Sequence, residues 1–250
     1  MLELVVPFSD VNSPELGTFC LKEFKLDEGQ PCELQLNCEH VSYRSLARKL
    51  NGEVAFDLEC ELFELLVGAV RNHNLSFINI SNVPHDRESS WVRHVAEHST
   101  LISARRFDQD YHYWQNADAP GLYQAHGRSI EGLPLRHNGF PPPYGEYVID
   151  TTQNPGRRIL REGFIEAVGN RMWLGSEFFR RVPDITEDTI LADPRIRIEK
   201  GEDGVLELVA QEEPFVDDSS AERQEYVRRL LFGALCDKRA GRDIEGLGSA

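Results

Sequence analysis

The sequence predicts a single α+β domain. Three observations carry that expectation: runs of strand period stand near both ends of the chain, helical periods are scattered between them, and no βαβ rhythm links the two. No internal repeat or low-complexity linker divides the 250 residues. Their 40% hydrophobic and 28% charged composition is that of a globular chain able to bury a sizeable core. The domain is expected over residues 1–240, with 241–250 as a frayed tail ending in GLGSA.

The elements follow in order. LELVVPF (2–8), FCLKEFKL (19–26) and CELQLNC (32–38) alternate or cluster apolar residues at strand period, with Asn-Ser-Pro and Glu-Gly-Gln-Pro as turns. They predict an antiparallel meander. Residues 41–50 have helical spacing and stop at Asn51-Gly52, a natural C-cap. From Asp57 to Asn72, Leu58, Leu62, Phe63, Leu65, Leu66, Ala69 and Val70 share one broad helical face, with Asp57 and Glu59 in the first turn. LSFINIS (75–81) reads as a strand, and residues 89–97 as a short helix capped by serine. Residues 103–145 are rich in Asn, Asp, Pro, Gly and aromatics and read as a long irregular excursion. Strand character restarts at Tyr147–Asp150. Ile196–Glu199 and Val205–Val209 form a hairpin across Gly201 and Gly204, and Ala221–Lys238 is an amphipathic helix.

Composition narrows the function classes. No apolar run approaches the roughly 18–20 residues of a membrane helix, and MLELVVPFSD lacks the basic start of a signal peptide, so a cytoplasmic protein is expected. Five cysteines without CxxC or zinc-like spacing read as reduced thiols. The net charge is -15, unevenly spread. Residues 1–68 hold 13 acids and 5 bases, 187–225 hold 13 and 4, and the middle balances 13 acids with 13 arginines. Such a field repels nucleic acid and attracts a basic protein; plain solubility is the simpler use of it.

Two motifs point to chemistry. His94-Val95-Ala96-Glu97-His98 fits H-x-x-E-H, in which two histidines one helical turn apart bind zinc beside a catalytic glutamate. The pattern needs a third ligand from a second helix, and none is visible in the sequence. Its rival reading is a surface helix with two histidines. Asp10 with Glu23-Phe24-Lys25 mimics the carboxylates and lysine of metal-dependent nucleases, but the surrounding charge is wrong for DNA and alternating charge on a solvated strand face explains the triplet. Nucleophile elbows and phosphate-binding glycine loops are missing from the sequence, and Cys60 lies in a helical pattern where burial is expected. No catalytic residue, cofactor or metal is therefore expected.

One cluster suits binding. Asp108-Gln109-Asp110-Tyr111-His112-Tyr113-Trp114 sets rigid aromatics between carboxylates, the composition of an interface anchor, unless the rings alternate into a core strand.

The segment from Gly139 to Val182, which reads FPPPYGEYVIDTTQNPGRRILREGFIEAVGNRMWLGSEFFRRV after its glycine, resembles bacterial polymorphic-toxin immunity proteins, the immunity protein 52 family. The resemblance rests on Asn154–Arg157, Gly163–Val168, Met172–Gly175, Phe178 and Phe179. It implies a non-catalytic α+β protein that neutralises a neighbouring toxin carrying a restriction-endonuclease-like nuclease domain, often delivered by a type VI secretion system. The expected toxin-binding residues are Asp108, Asp110, Tyr111, Tyr113 and Trp114, with Glu212, Glu213, Asp217 and Asp218 steering the encounter. Alternatives are a zinc hydrolase using His94, Glu97 and His98, and an adaptor of a secretion apparatus. Within the resembling segment, Phe164–Leu174 is expected as a strand with Gly169-Asn170 as a bulge or turn, with Trp173 in the core in preference to a surface platform and Ser176 capping a short helix.

Overall fold

The structure, a computed structural model, describes residues 1–8, 10–26, 33–201 and 203–245. In chain order the elements are β1 (Leu2–Pro7), α1 (Ser13–Glu23), β2 (Gln35–Leu36), β3 (Glu39–His40), α2 (Tyr43–Leu50), β4 (Phe56–Cys60), β5 (Phe63–Val70), β6 (Leu75–Ile80), α3 (Glu88–His98), β7 (Ser103–Arg106), α4 (Gln109–Asn116) and α5 (Pro120–Ala125). They continue with β8 (Leu135–His137), β9 (Tyr147–Ile149), β10 (Ile159–Arg161), β11 (Phe164–Glu166), β12 (Arg171–Leu174), α6 (Ser176–Arg181), α7 (Glu187–Leu191), β13 (Arg197–Lys200), β14 (Leu206–Val209) and α8 (Ala221–Glu245). This is an α+β fold built on a ten-stranded sheet in the order β13-β14-β12-β7-β1-β6-β5-β4-β2-β3, paired antiparallel throughout.

Side chains of successive strand residues point to opposite faces, and the sheet is apolar on both. Leu2, Leu4 and Val6 of β1 turn to one side and pack with Leu16 of α1, Leu46 and Leu50 of α2, and Trp91, Val92 and Val95 of α3. Val5 turns to the other, with Met172 and Leu174, the helical residues Phe178, Ile190, Val227 and Leu231, and Ile165 of β11. Trp173, 2% exposed, lies on the first face, so the core position expected for it holds.

Four local expectations are corrected. Residues 19–26 do not form a strand: α1 covers Ser13–Glu23, started by Asn12, whose side chain accepts from the Glu15 amide, and by Pro14 in the first turn. Its buried Leu16 and Cys20 lie one turn apart. The helix expected over 57–72 is the β4–β5 hairpin, in which Phe63, Leu65 and Val67 point inward while Leu62 and Leu66 are exposed. An apolar run with bulky residues on both faces satisfies either period. The irregular excursion at 103–145 contains β7, α4, α5 and β8. Phe164–Leu174 is not one strand: β11 pairs with β10 in a separate ribbon, and β12 joins the main sheet.

Gly169 stands at that break because a Cβ there would lie 2.2 Å from the Arg106 carbonyl oxygen. Gly175 ends β12 for the same reason, 2.0 Å from the Leu101 carbonyl oxygen, and it, rather than Ser176, is the N-cap residue of α6. Likewise α3 starts after Arg87 without a serine cap. Cys60 is a half-buried strand residue instead of a helical one. Cys20, Cys38 and Cys60 are free thiols. The β13–β14 hairpin, β6 and α2 stand where expected, and α8 runs on to Glu245. Cys32, the turn at 28–31 and the last five residues lie outside the described residues. Among those described, no helix is long and apolar enough to cross a membrane.

Candidate partner-binding site

The arginine-rich middle of the chain resolves into buried ion clusters. Among the described residues the buried acids are Glu3, Glu88 and Glu166, and each meets two guanidinium groups. Neighbours Arg105 and Arg106 on β7 point to opposite faces. Arg105 Nε donates to Glu3 Oε1 at 2.7 Å, while Arg106 Nε lies 3.2 Å from Glu88 Oε1 on α3. Arg158 donates to Glu3 Oε2 at 3.0 Å, and Arg171 approaches Glu88. Glu166 accepts from Arg161 and from the fully buried Arg228, whose Nη2 also donates to the carbonyls of Pro155 and Arg157. Burial works against the Glu3 charge, yet the two arginines hold its carboxyl at about 2. Glu88 is pushed above its ordinary value, chiefly by burial.

The Glu3 cluster also fastens a lobe formed by residues 109–149. Arg105 Nη2 lies 3.3 Å from His112 Nε2. A guanidinium only donates, so Nε2 is the acceptor of this contact, and Nδ1 lies 3.2 Å from Asn116 Nδ2. Burial first, and Arg105 second, depress the imidazole to about 3. Asn116 Oδ1 accepts from the Arg158 amide at 2.6 Å, Gln115 Oε1 from the Gly156 amide at 2.9 Å, and Asn154 Nδ2 donates to the Gln115 carbonyl. The Asn-Pro-Gly-Arg motif is thus the junction between the lobe, the central strand and α8.

Within the lobe, α4 carries the predicted aromatic–acidic cluster. It is a helix, neither loop nor strand, and Asp108 is its N-cap, accepting from the Tyr111 amide at 2.8 Å. Trp114 donates to Asp110 one turn back at 3.1 Å, Arg128 stacks on its ring at 4.1 Å, and Tyr113 and Tyr123 meet it edge-on. Trp114 and Tyr123 form a small core with Ala117, Ile130 and Ile149. Tyr113 is exposed and Trp114 half-buried.

The structure joins part of the acidic set to this helix: Tyr111 donates to Asp218 at 3.3 Å and receives Gln224 Nε2 at 3.0 Å, and burial leads in pushing its hydroxyl up to about 12. Asp217 caps the turn at 218–220, and the Ser219 hydrogen bonds hold its carboxyl below the ordinary value. Glu212 is engaged elsewhere, with Arg197 at 2.9 Å, and Glu213 is exposed beside it.

Sequence reasoning missed the most exposed rings. The β8–β9 hairpin and its connection present Phe140, Tyr144 and Tyr147 at 62%, 75% and 68% exposure, with Leu135 beside them. Asn138 holds the connection in shape. Its Oδ1 accepts from the Phe140 and Glu146 amides and its Nδ2 donates to the Tyr144 carbonyl at 3.0 Å. The signal was present in Phe-Pro-Pro-Pro-Tyr-Gly-Glu-Tyr, aromatics spaced around prolines. Residues 109–150 hold 5 acids and 2 arginines, and both arginines already face carboxylates of the lobe.

The residues of the alternative readings are dispersed or differently arranged. Asp10 accepts from the Thr100 amide, Glu23 pairs with Arg87, and no metal-type group among the described residues joins them. His94 and His98 share a face of α3, while Glu97 is exposed and stands outside their grouping. Burial, then His98, lowers the His94 imidazole. No protein family matches this chain, and no curated protein or solved structure matches it either.

Proposed function

We propose that this protein is a non-catalytic immunity protein that binds and neutralises a cognate nuclease toxin in the cytoplasm. The observation that carries the reading is the β8–β9 hairpin: three large rings held in water by a loop whose shape is fixed by Asn138. Exposed aromatics on a pre-ordered loop give contact area at low entropic cost, the property of interface anchors. The surplus of carboxylates around them complements a nuclease, which must present basic surface to its substrate. The resemblance to immunity proteins adds to this, because its Asn154–Arg157 motif anchors the same lobe.

In this reading Phe140, Tyr144 and Tyr147 fill the centre of the interface and Tyr113 extends it. Asp110, Glu131 and Glu146 guide approach, and the rest of the acidic field accelerates it. Co-expression with the toxin encoded beside this gene tests the proposal. The expected result is a stable 1:1 complex and loss of nuclease activity. Capture of secretion machinery instead, or full nuclease activity with both proteins present, would reject it.

A further inference from the structure

We propose that Glu15, His94 and His98 form a site for one divalent ion of the zinc class, joining α1 to α3. One ligand atom from each of the three side chains lies within 4.8 Å of the other two, the only such convergence among the described metal-type groups. The sequence motif supplied two of these ligands and required a third from a second helix. Glu97 is exposed and outside this group, and the third ligand is Glu15, 79 positions before His94, from the first turn of α1.

Three features make this more than a chance meeting of polar groups. His98 Nδ1 lies 2.9 Å from the His94 carbonyl oxygen, which only accepts, so Nδ1 carries the proton. The Nε2 lone pair is then free, and Nε2 is the atom 3.9 Å from Glu15 Oε1. A carbonyl bound to the far nitrogen is how metal-ligating histidines are usually oriented. His94 is held flat against Phe19, centroids 3.7 Å apart and planes 4° apart. The three groups also share a small cavity closed on its other side by Val11, Leu16 and Ile78, an apolar wall that strengthens charge attraction.

Ligand atoms around zinc bonds of about 2.0–2.1 Å stand roughly 3.4 Å apart, so side-chain rotations of about 1 Å complete the set. Two imidazoles and one carboxylate suit Zn²⁺ or Co²⁺ and disfavour Mg²⁺, which prefers oxygen ligands. A fourth position is left for a water molecule. The ion would fasten the start of α1 to the end of α3, two helices that otherwise meet through apolar contacts and rings.

The test uses full-length protein prepared without a histidine tag and stripped of metal. Titration with Zn²⁺ alone is expected to give one tight site and a higher melting temperature, and Co²⁺ alone the visible absorption of a tetrahedral complex. Mg²⁺ should do neither. His94→Gln, His98→Gln and Glu15→Gln should each weaken Zn²⁺ binding by more than about 100-fold. Glu97→Gln should leave it unchanged. Glu15 and His98 are half-exposed, so these two variants are expected to keep the metal-free melting temperature and report on binding alone. Absence of a tight Zn²⁺ site in the wild type would overturn the proposal. So would Zn²⁺ binding that survives His98→Gln, or that falls equally on Glu97→Gln. None of these outcomes depends on toxin binding.

Discussion

Arg105 and Arg128 each stack on an aromatic ring and each face a carboxylate, and little else about them agrees. Arg105 lies 4.3 Å over Phe107 with Glu3 at 2.7 Å, all three buried; Arg128 lies 4.1 Å over Trp114 with Asp110 at 3.4 Å, on the lobe. The Glu3 side chain is 3% exposed and the Asp110 side chain 77%. The same combination of arginine, ring and carboxylate therefore does different work according to water. Inside, removing either partner strands a charge, so the cluster fixes strand register and the seat of the lobe. Outside, the same stack is screened and replaceable, leaving the surface free to be shaped for a partner.

The largest effect expected from this contrast is on stability. Glu3→Ala leaves Arg105 and Arg158 without their shared carboxylate and should cost about 3–5 kcal/mol, whereas Asp110→Ala should cost less than about 1 kcal/mol. Urea denaturation measures both, and equal losses would break the comparison.

Acid sensitivity sharpens it further. His112 is depressed from about 6.5 to about 3, and Glu3 from 4.5 to about 2. For groups lowered in the folded state, the unfolded chain takes up protons first. Stability is then lost as pH falls, from about 6.5 downward for His112 and from about 4.5 for Glu3. The His112 contribution is about 1.4 kcal/mol per pH unit across roughly pH 6–4.5. His112→Gln should flatten that part of the profile relative to wild type, and an unchanged slope would show that the imidazole titrates freely.

Binding should follow the opposite map. Tyr147→Ala is expected to weaken toxin binding by about 2 kcal/mol, through faster dissociation, with little change in melting temperature. Neutralising Glu212, Glu213, Asp217 and Asp218 together should mainly slow association at low salt. Surface plasmon resonance at two ionic strengths separates the two. The smallest expected effect is that of Arg128→Ala, about 0.5–1 kcal/mol of lobe stability from the lost stack on Trp114.

What could be read from the sequence depended on distance along the chain. The β13–β14 hairpin and α8 are local, and turn glycines and one-faced periodicity announced them. The β4–β5 hairpin was hidden because Leu62 and Leu66 put apolar residues on its outer face and mimic a helical stripe. Glu3 with Arg158, and Glu166 with Arg228, are paired across most of the fold, and nothing near Glu3 in sequence marks it as buried. Glu15 was invisible as a ligand for the same reason. The aromatic–acidic stretch at 108–114 was noticed for its composition, but only three dimensions show that Trp114 turns into a small core while Tyr147 does not.

The position of β1 has a consequence for synthesis. It precedes both of its partners in the chain and lies in the middle of the sheet, where Leu2 pairs with Ile80 on one side and Arg106 on the other. At about 5–20 residues per second, roughly 5–20 s pass before both neighbours exist. Until Ile80 is made both hydrogen-bonding edges of Leu-Val-Val are open, and until Arg106 is made one stays open, and an open edge is prone to pair with another chain. Closing such long loops is slow, so the pairing that seats β1 in the sheet is a late step of folding.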